Sequence, residues 1–131
     1  RRQRQMCIRD SYETESYRLF ATGHGLTLET MKWFWEQYMQ GVEATDCDRA
    51  WAIPTLGKLA GLPPAHVVVA EYDVLRDEGL AYAKQLADAG VSTTTRQYDG
   101  MLHGFVHFAG FFEDGVTATQ DVAQVIQDMV R

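Results

Sequence analysis

The sequence predicts an α/β fold built on a mostly parallel sheet, and three consecutive segments carry that prediction. Val67, Val68 and Val69 form a continuous β-branched run, which is typical of a strand covered on both faces. Residues 75–89 follow with a helical pattern and end at Gly90, a residue type that commonly terminates helices. Residues 91–98 return to strand character through three threonines and a tyrosine. The order strand, helix, strand predicts two parallel strands joined by a crossover helix.

An acid and an imidazole follow the two predicted strands. Asp73 lies where the first strand runs out into a loop, and His103 lies in the glycine-rich run 100–105 after the second. The carboxyl ends of parallel strands meet at one edge of an open α/β sheet, where ligands and catalytic groups collect. Gly100 and Gly104 favour a loop whose unusual backbone path exposes the imidazole. We therefore expect both side chains at a common edge of the sheet.

Three other carboxylates compete with Asp73 for a functional role, and their positions differ. Asp77 lies where the predicted helix begins, and acids at that position stabilise a helix N-terminus. Glu71 shares the side of the strand that Asp73 uses but lies further from the end of the strand. Asp99 precedes a glycine, and an Asp-Gly pair is typical of a turn. Spacing alone leaves these alternatives open.

His103 competes in the same way with three other histidines, His24, His66 and His107. His103 and His107 have the i, i+4 spacing of some zinc sites, but Gly104 stands where a hydrolytic site of that type needs a glutamate, and a third ligand is also required. His66 precedes the valine run and is interpreted as a strand-entry residue. The sequence therefore predicts no metal site, and it implies no cofactor.

Two further helices are predicted from apolar periodicity. The first follows Thr27, a candidate N-cap, and carries an apolar stripe at i, i+3, i+4 and i+7; its members are Met31, Phe34, Trp35 and Tyr38. Core packing is the simpler interpretation of this stripe, and a wall of the substrate pocket is the alternative. The second helix covers residues 116–130 and is expected to pack on the sheet through Val122, Val125, Ile126 and Met129. Residues 12–26 are predicted to be a loop, and residues 40–62 a connecting stretch with a short helical turn at 55–60.

Several separate motifs match one known family in order and at that family's spacing, from about Ser16 to the last residue. They are Gly-Leu-Pro-Pro-Ala at 61–65, Glu-Tyr-Asp-Val-Leu-Arg-Asp-Glu-Gly at 71–79 and Gly-Met-Leu-His-Gly-Phe at 100–105. In these segments the chain resembles the C-terminal part of the hormone-sensitive-lipase-like branch of the α/β-hydrolases, and the bacterial carboxylesterases of that branch in particular. Val74 stands where the family usually has proline, which affects the turn after the acid.

The resemblance implies a carboxylic ester hydrolase that acts on a small-molecule ester through a Ser-His-Asp triad, with Asp73 as the acid and His103 as the base. In this fold the serine lies on a G-x-S-x-G turn and precedes the acid in the chain. The sequence contains only Ser11, Ser16 and Ser92, and none of them lies in such a motif. We therefore expect a fragment that lacks the serine and the oxyanion loop and that is inactive in isolation.

Other interpretations remain open at this point. The alternative from another class is a non-catalytic small-molecule-binding protein on the α/β-hydrolase scaffold, although retention of both Asp73 and His103 favours the enzyme. The residues of the motifs at 71–79 and 100–105 disfavour a peptidase or a dienelactone-hydrolase relative. The strand at 91–98 would be the last of the sheet, and an uncovered edge strand invites pairing with a second copy. The resemblance thus implies a homodimer of the parent enzyme through this strand.

Length, composition and charge narrow the class of protein and its compartment further. The chain has 131 residues, of which 46% are hydrophobic and 23% charged, as in a small globular domain. A net charge of −6 argues against a surface for nucleic acid or anionic membranes. The longest apolar runs fall short of the roughly 18 residues that a membrane span needs. The two cysteines, Cys7 and Cys47, fit a reducing compartment, so we expect a cytoplasmic protein.

The first eleven residues differ from the rest of the chain. They hold four of the twelve basic residues, Arg1, Arg2, Arg4 and Arg9, show no apolar period and do not fit the family pattern. A nucleic-acid or targeting tail is one interpretation of such a run. We expect instead a non-native or disordered head at 1–11, which leaves 12–131 as the C-terminal portion of an α/β-hydrolase domain.

Overall fold

A computed structural model of the chain describes residues 12–39 and 53–130. The predicted head at 1–11, Cys47 and most of the connecting stretch lie outside the described residues. The elements follow in the order α1 (Glu15–Leu19), α2 (Leu28–Met39), a 3₁₀ turn (Pro54–Leu56), β1 (Ala65–Tyr72), α3 (Arg76–Asp88), β2 (Thr93–Leu102), a second 3₁₀ turn (Phe105–Phe108) and α4 (Glu113–Val130).

The predicted β-α-β unit is confirmed. β1 and β2 pair in parallel, from Ala65 opposite Thr93 to Ala70 opposite Tyr98, and α3 packs against β1 as the crossover helix. Gly90 ends α3 with a φ of 81°, a left-handed conformation that glycine adopts without steric cost. The N–H of Val91 donates to the Leu86 carbonyl at 3.0 Å, and both side chains are buried. This closure is a Schellman motif, and it turns the chain directly into β2.

The valine run is less covered than we predicted. Only Val69 and Ala70 are buried in β1, whereas Val67 and Val68 are half-buried. The sheet formed by the described residues has two strands, so β1 has a neighbour along one edge only. Burial of a strand depends on the elements around it, and two strands supply only part of that cover.

Two local predictions were wrong. Part of the segment predicted as a loop forms the short helix α1, which Thr14 caps by accepting a hydrogen bond from the N–H of Tyr17 at 3.4 Å. Asp99 does not lie in a turn, because β2 continues through it to Leu102. Five residues of mixed polar and aromatic character leave too little periodicity to predict α1.

The predicted apolar stripes are only partly buried. In α2, Met31 and Trp35 are buried while Phe34 and Tyr38 are exposed. Thr27 caps α2 as predicted, since its hydroxyl oxygen accepts a hydrogen bond from the N–H of Thr30 at 3.1 Å. Along α4 the contact with the sheet is made near its start, where Ala118 joins a buried cluster with Ala70, Tyr98 and Phe105. Ile126 and Met129, further along α4, are exposed.

Helix α1 is joined to the start of α3 by hydrogen bonds through Ser16. The Ser16 side chain is fully buried, and its hydroxyl donates to the carbonyl of Val74 at 2.7 Å. The backbone N–H of Ser16 donates to the Asp77 carboxylate at 2.8 Å. Tyr17 packs in the same core with Val74, which is also fully buried. α1 therefore covers the turn that follows Asp73.

Replacing Ser16 by alanine is expected to lower the free energy of unfolding by about 1–3 kcal/mol, because the buried Val74 carbonyl loses its donor. Ser92→Ala is the matched control, since Ser92 is exposed, and its effect should stay within about 0.5 kcal/mol. Urea unfolding of the 131-residue chain measures both. Equal effects of the two substitutions would contradict this account of the α1–α3 junction.

Candidate active site

Asp73 is held in a fixed orientation at the end of β1. Asp73 is buried, with 8% of its surface exposed. One carboxylate oxygen, Oδ1, accepts a hydrogen bond from the N–H of Leu75 at 2.9 Å, and the Asp73 carbonyl accepts one from the N–H of Arg76 at 3.1 Å. An aspartate bonded to the backbone two residues on forms an Asx turn. This turn leaves the second carboxylate oxygen, Oδ2, free to bind another group.

His103 lies in the turn that follows β2. The next residue, Gly104, has a φ of 74°, and its carbonyl accepts a hydrogen bond from the N–H of His107 at 2.9 Å. A side chain at this φ would be strained, so glycine is what allows the chain to reverse here. The reversal leaves the His103 side chain 40% exposed.

The structure brings these two side chains into contact. Nδ1 of His103 lies 2.8 Å from Oδ2 of Asp73. The hydrogen bond to Asp73 raises the pKa of His103 above its usual 6.5, burial acts in the opposite direction, and the negative charge of Asp73 adds to the increase. A carboxylate only accepts hydrogen bonds, so Nδ1 carries the proton in this contact. In the neutral ring the other nitrogen, Nε2, is then the proton acceptor.

The three rival carboxylates are engaged elsewhere. Glu71 accepts a hydrogen bond from the N–H of Gly100 at 2.6 Å, and Asp99 accepts one from the side-chain amide of Gln97 at 2.9 Å. Asp77 lies in the first turn of α3, as predicted, and its carboxylate binds α1. The carboxylate that His103 contacts is that of Asp73.

Two of the other histidines bind groups other than Asp73. Nδ1 of His66 is 2.7 Å from the hydroxyl of Thr94 near the beginning of the sheet, and its Nε2 is buried without a hydrogen-bond partner. His24 contacts the carbonyl of Thr22 at 2.8 Å and stacks on Tyr72. Within residues 12–39 and 53–130, no three potential metal ligands cluster.

A cavity of about 300 Å³ opens beside the pair. Asp73 and His103 line one part of it, and residues of β1 and α3, including Val69, Glu78 and Tyr82, line the rest. The imidazole, which is the more exposed member of the pair, is therefore accessible to a small molecule from this side. No helix within residues 12–39 and 53–130 has both the length and the hydropathy of a membrane span.

A second network supports the His103 turn, and no pattern in the sequence predicts it. Tyr98 is buried in β2, with its ring centroid 5.1 Å from that of Phe105. Its hydroxyl donates to Asp121 of α4 at 2.5 Å, and burial together with this bond raises the pKa of Tyr98 to about 12. Arg96 pairs with the same carboxylate at 2.6 Å. Asp121 lies 23 residues after Tyr98 and further still after Arg96, so only the tertiary fold reveals these contacts.

Titration of His103 by NMR should give a pKa above 6.5 in the wild-type chain and a lower one in Asp73→Asn, because burial then acts without the carboxylate. A raised folded-state pKa means that the contribution of the pair to stability is fully present below pH 6.5. That contribution is lost as the pH rises through the folded-state pKa. Asp99→Asn is the control. An unchanged His103 pKa in Asp73→Asn would contradict the assignment of the shift.

The chain belongs to the α/β-hydrolase family. The model of a family with the α/β-hydrolase fold matches residues 6–107, a range that includes both Asp73 and His103. This match agrees with the parallel β-α-β unit and confirms the fold class and the family that the motifs indicated.

Several of the relatives that the chain resembles are ester hydrolases. It is 37% identical to the carboxylic ester hydrolase LipN of Mycobacterium tuberculosis over 95 residues, which is 72% of this chain and 25% of LipN. It is 32% identical to an ethyl acetate hydrolase of Pseudomonas putida, over 86% of this chain and 35% of that protein. The solved structure of EstE1, a thermophilic carboxylesterase from a metagenomic library, superposes with a TM-score of 0.79 at 36% identity and covers 90% of this chain and 40% of EstE1. The chain thus spans between a quarter and two fifths of the length of these relatives.

Proposed function

We propose that this chain is the part of a carboxylic ester hydrolase that carries the acid and the base of its catalytic triad, Asp73 and His103. The observation that supports this most is the 2.8 Å contact between Oδ2 of Asp73 and Nδ1 of His103 beside an open cavity. The ester hydrolases among the relatives support the reaction class. The substrate class that follows is a small-molecule carboxylic ester.

In the proposed reaction, a serine from outside this chain attacks the ester carbonyl carbon, and Nε2 of His103 takes the proton from its hydroxyl. The resulting tetrahedral intermediate collapses, its bond to the alcohol oxygen breaks, and His103 returns the proton to the leaving alcohol. Water then attacks the acyl-enzyme by the same route and releases the acid. Asp73 holds the imidazole in the required tautomer and stabilises its cation.

The chain alone is proposed to be inactive, because its described serines are poorly placed for attack. The hydroxyl of Ser16 is buried and bonded to the carbonyl of Val74. Ser92 precedes β2, whereas His103 follows it, so a ten-residue strand separates them by roughly 30 Å. A missing nucleophile costs on the order of 10⁶ in kcat.

The homodimer through the edge strand stays a prediction. In the described sheet, β2 pairs with β1 along one edge, and the residues in its middle, such as Arg96 and Gln97, are exposed. An edge strand with free backbone groups can add a second copy by main-chain hydrogen bonds.

A chimera tests the proposed function. Residues 12–131 would replace the matching two fifths of EstE1, and EstE1 would supply the rest of the chimera. We expect the chimera to hydrolyse p-nitrophenyl butyrate. The 131-residue chain should not raise the rate of hydrolysis above that in buffer alone. EstE1 itself is the positive control. A chimera that folds, as judged by circular dichroism, and binds the ester without hydrolysing it would favour a non-catalytic binding protein.

A further inference from the structure

The pairing of β1 with β2 changes register just before the site. From Ala65 opposite Thr93 to Ala70 opposite Tyr98, paired residues are 28 positions apart in the sequence. At Tyr72 opposite Leu102 they are 30 positions apart, so β2 holds two additional residues between these pairs. This irregularity is a β-bulge, a device that re-aims the side chains that follow it.

The shift determines which residue of the second strand arrives level with Asp73. Asp73 and His103 are 30 positions apart, which equals the offset after the bulge. With the earlier offset of 28, Met101 would stand level with Asp73 and the imidazole would lie two residues beyond it. The bulge therefore sets the register that allows the contact between the two side chains.

One side chain of β1 holds the bulge. Gly100 lies within it with a φ of 75°, and the N–H of Gly100 donates to Oε2 of Glu71 at 2.6 Å. A carboxylate oxygen thus takes the place of a backbone carbonyl as acceptor.

We propose that Glu71 is a positioning residue, which fixes the β2 bulge through Gly100 and thereby keeps His103 in register with Asp73. Glu71 does not itself contact His103 in the structure. Its importance for catalysis rests on the proposed function, but the register that it sets is a property of this chain alone. The test can therefore be made without ester turnover.

Three substitutions in the 131-residue chain separate hydrogen bonding from charge. Glu71→Gln keeps an acceptor oxygen and removes the charge. Glu71→Asp keeps the charge but shortens the side chain by one methylene, which moves the oxygen away from Gly100. Glu71→Ala removes both the oxygen and the charge. Asp99→Asn is the control, because Asp99 is an exposed carboxylate of the same bulge bonded only to Gln97 in the structure. NMR gives the pKa of His103 and the exchange rate of the Gly100 amide in each variant.

We expect the pKa of His103 to fall towards 6.5 in Glu71→Ala and Glu71→Asp and to stay near the wild-type value in Glu71→Gln and Asp99→Asn. Exchange of the Gly100 amide should accelerate roughly ten- to a hundred-fold in the first two variants, the range that corresponds to loss of a hydrogen bond to a charged group. An equal fall in Glu71→Gln would show that charge alone matters and would overturn the proposal. An unchanged pKa in Glu71→Asp would overturn it as well, even where Glu71→Ala does not fold. Failure of the EstE1 chimera to hydrolyse esters would leave these titrations unaffected, so the two proposals fail separately.

Discussion

Replacing His103 by alanine in the EstE1 chimera is expected to abolish ester hydrolysis, with a loss in kcat of about 10⁶-fold. His103 is the group that would accept the serine proton and deliver it to the leaving alcohol, and it is the imidazole that contacts Asp73, whereas His24 and His66 bind Thr22 and Thr94. The loss should appear in kcat, because the imidazole acts in the transition state rather than in binding the ester. Initial rates with p-nitrophenyl butyrate measure it.

His107→Ala is the matched control for that substitution. His107 is exposed on the 3₁₀ turn four residues later, and its loss should leave kcat within a factor of about three. A chimera in which His103→Ala keeps most of its activity, or in which His107→Ala loses as much, would contradict the role proposed for His103.

Asp73→Asn in the same chimera should lower kcat by about 10⁴-fold while the fold is retained. The amide that replaces the carboxylate can donate a hydrogen bond to Nδ1, which favours the ring tautomer with the proton on Nε2 and leaves no acceptor for the serine proton. The backbone bond from Leu75 to Oδ1 can be kept by the amide oxygen, so the turn should survive. Steady-state kinetics together with a circular dichroism spectrum measure both effects.

Asp99→Asn again provides the comparison, since it removes a nearby carboxylate that is bonded to Gln97. It should leave kcat close to that of the unsubstituted chimera. A loss of less than about tenfold in Asp73→Asn would mean that this carboxylate is not the partner on which proton transfer depends.

The positions of Asp73 and His103 were predictable because simple rules of sheet topology apply to them. Each follows a strand of strong β propensity, and parallel strands joined by a helix end at the same edge of the sheet. The residues between them also carry local signals, such as Gly90, whose conformation ends α3. A carboxylate and an imidazole could therefore be placed at one edge from the sequence, whereas the choice of Asp73 and His103 over their rivals depended on the family resemblance.

The bulge was not predictable in the same way. Asp99 and Gly100 form a pair typical of turns, yet the structure keeps both in β2. The Glu71 side chain supplies the acceptor that the Gly100 N–H lacks in the ladder, and these two residues are 29 positions apart. A contact of that separation leaves no local pattern, so the register of the last residues of β2 depends on tertiary structure.

Burial was also beyond what the sequence could determine. A continuous valine run indicates a strand with two covered faces, but Val67 and Val68 are only half-buried in the described sheet. Similarly, the period of α4 places Ile126 on an apolar face, and that residue is exposed. Periodicity predicts which side chains share a face, whereas the elements that cover the face determine how deeply they are buried.

The central claim is that Asp73 keeps the proton on Nδ1 of His103 and leaves Nε2 as the proton acceptor. A long-range ¹H–¹⁵N NMR spectrum of the 131-residue chain, recorded above the pKa of His103, tests this most directly. We expect the pattern of the tautomer protonated at Nδ1, and its replacement by the other tautomer in Asp73→Asn. A wild-type ring protonated at Nε2, or a pattern unchanged by Asp73→Asn, would contradict the account.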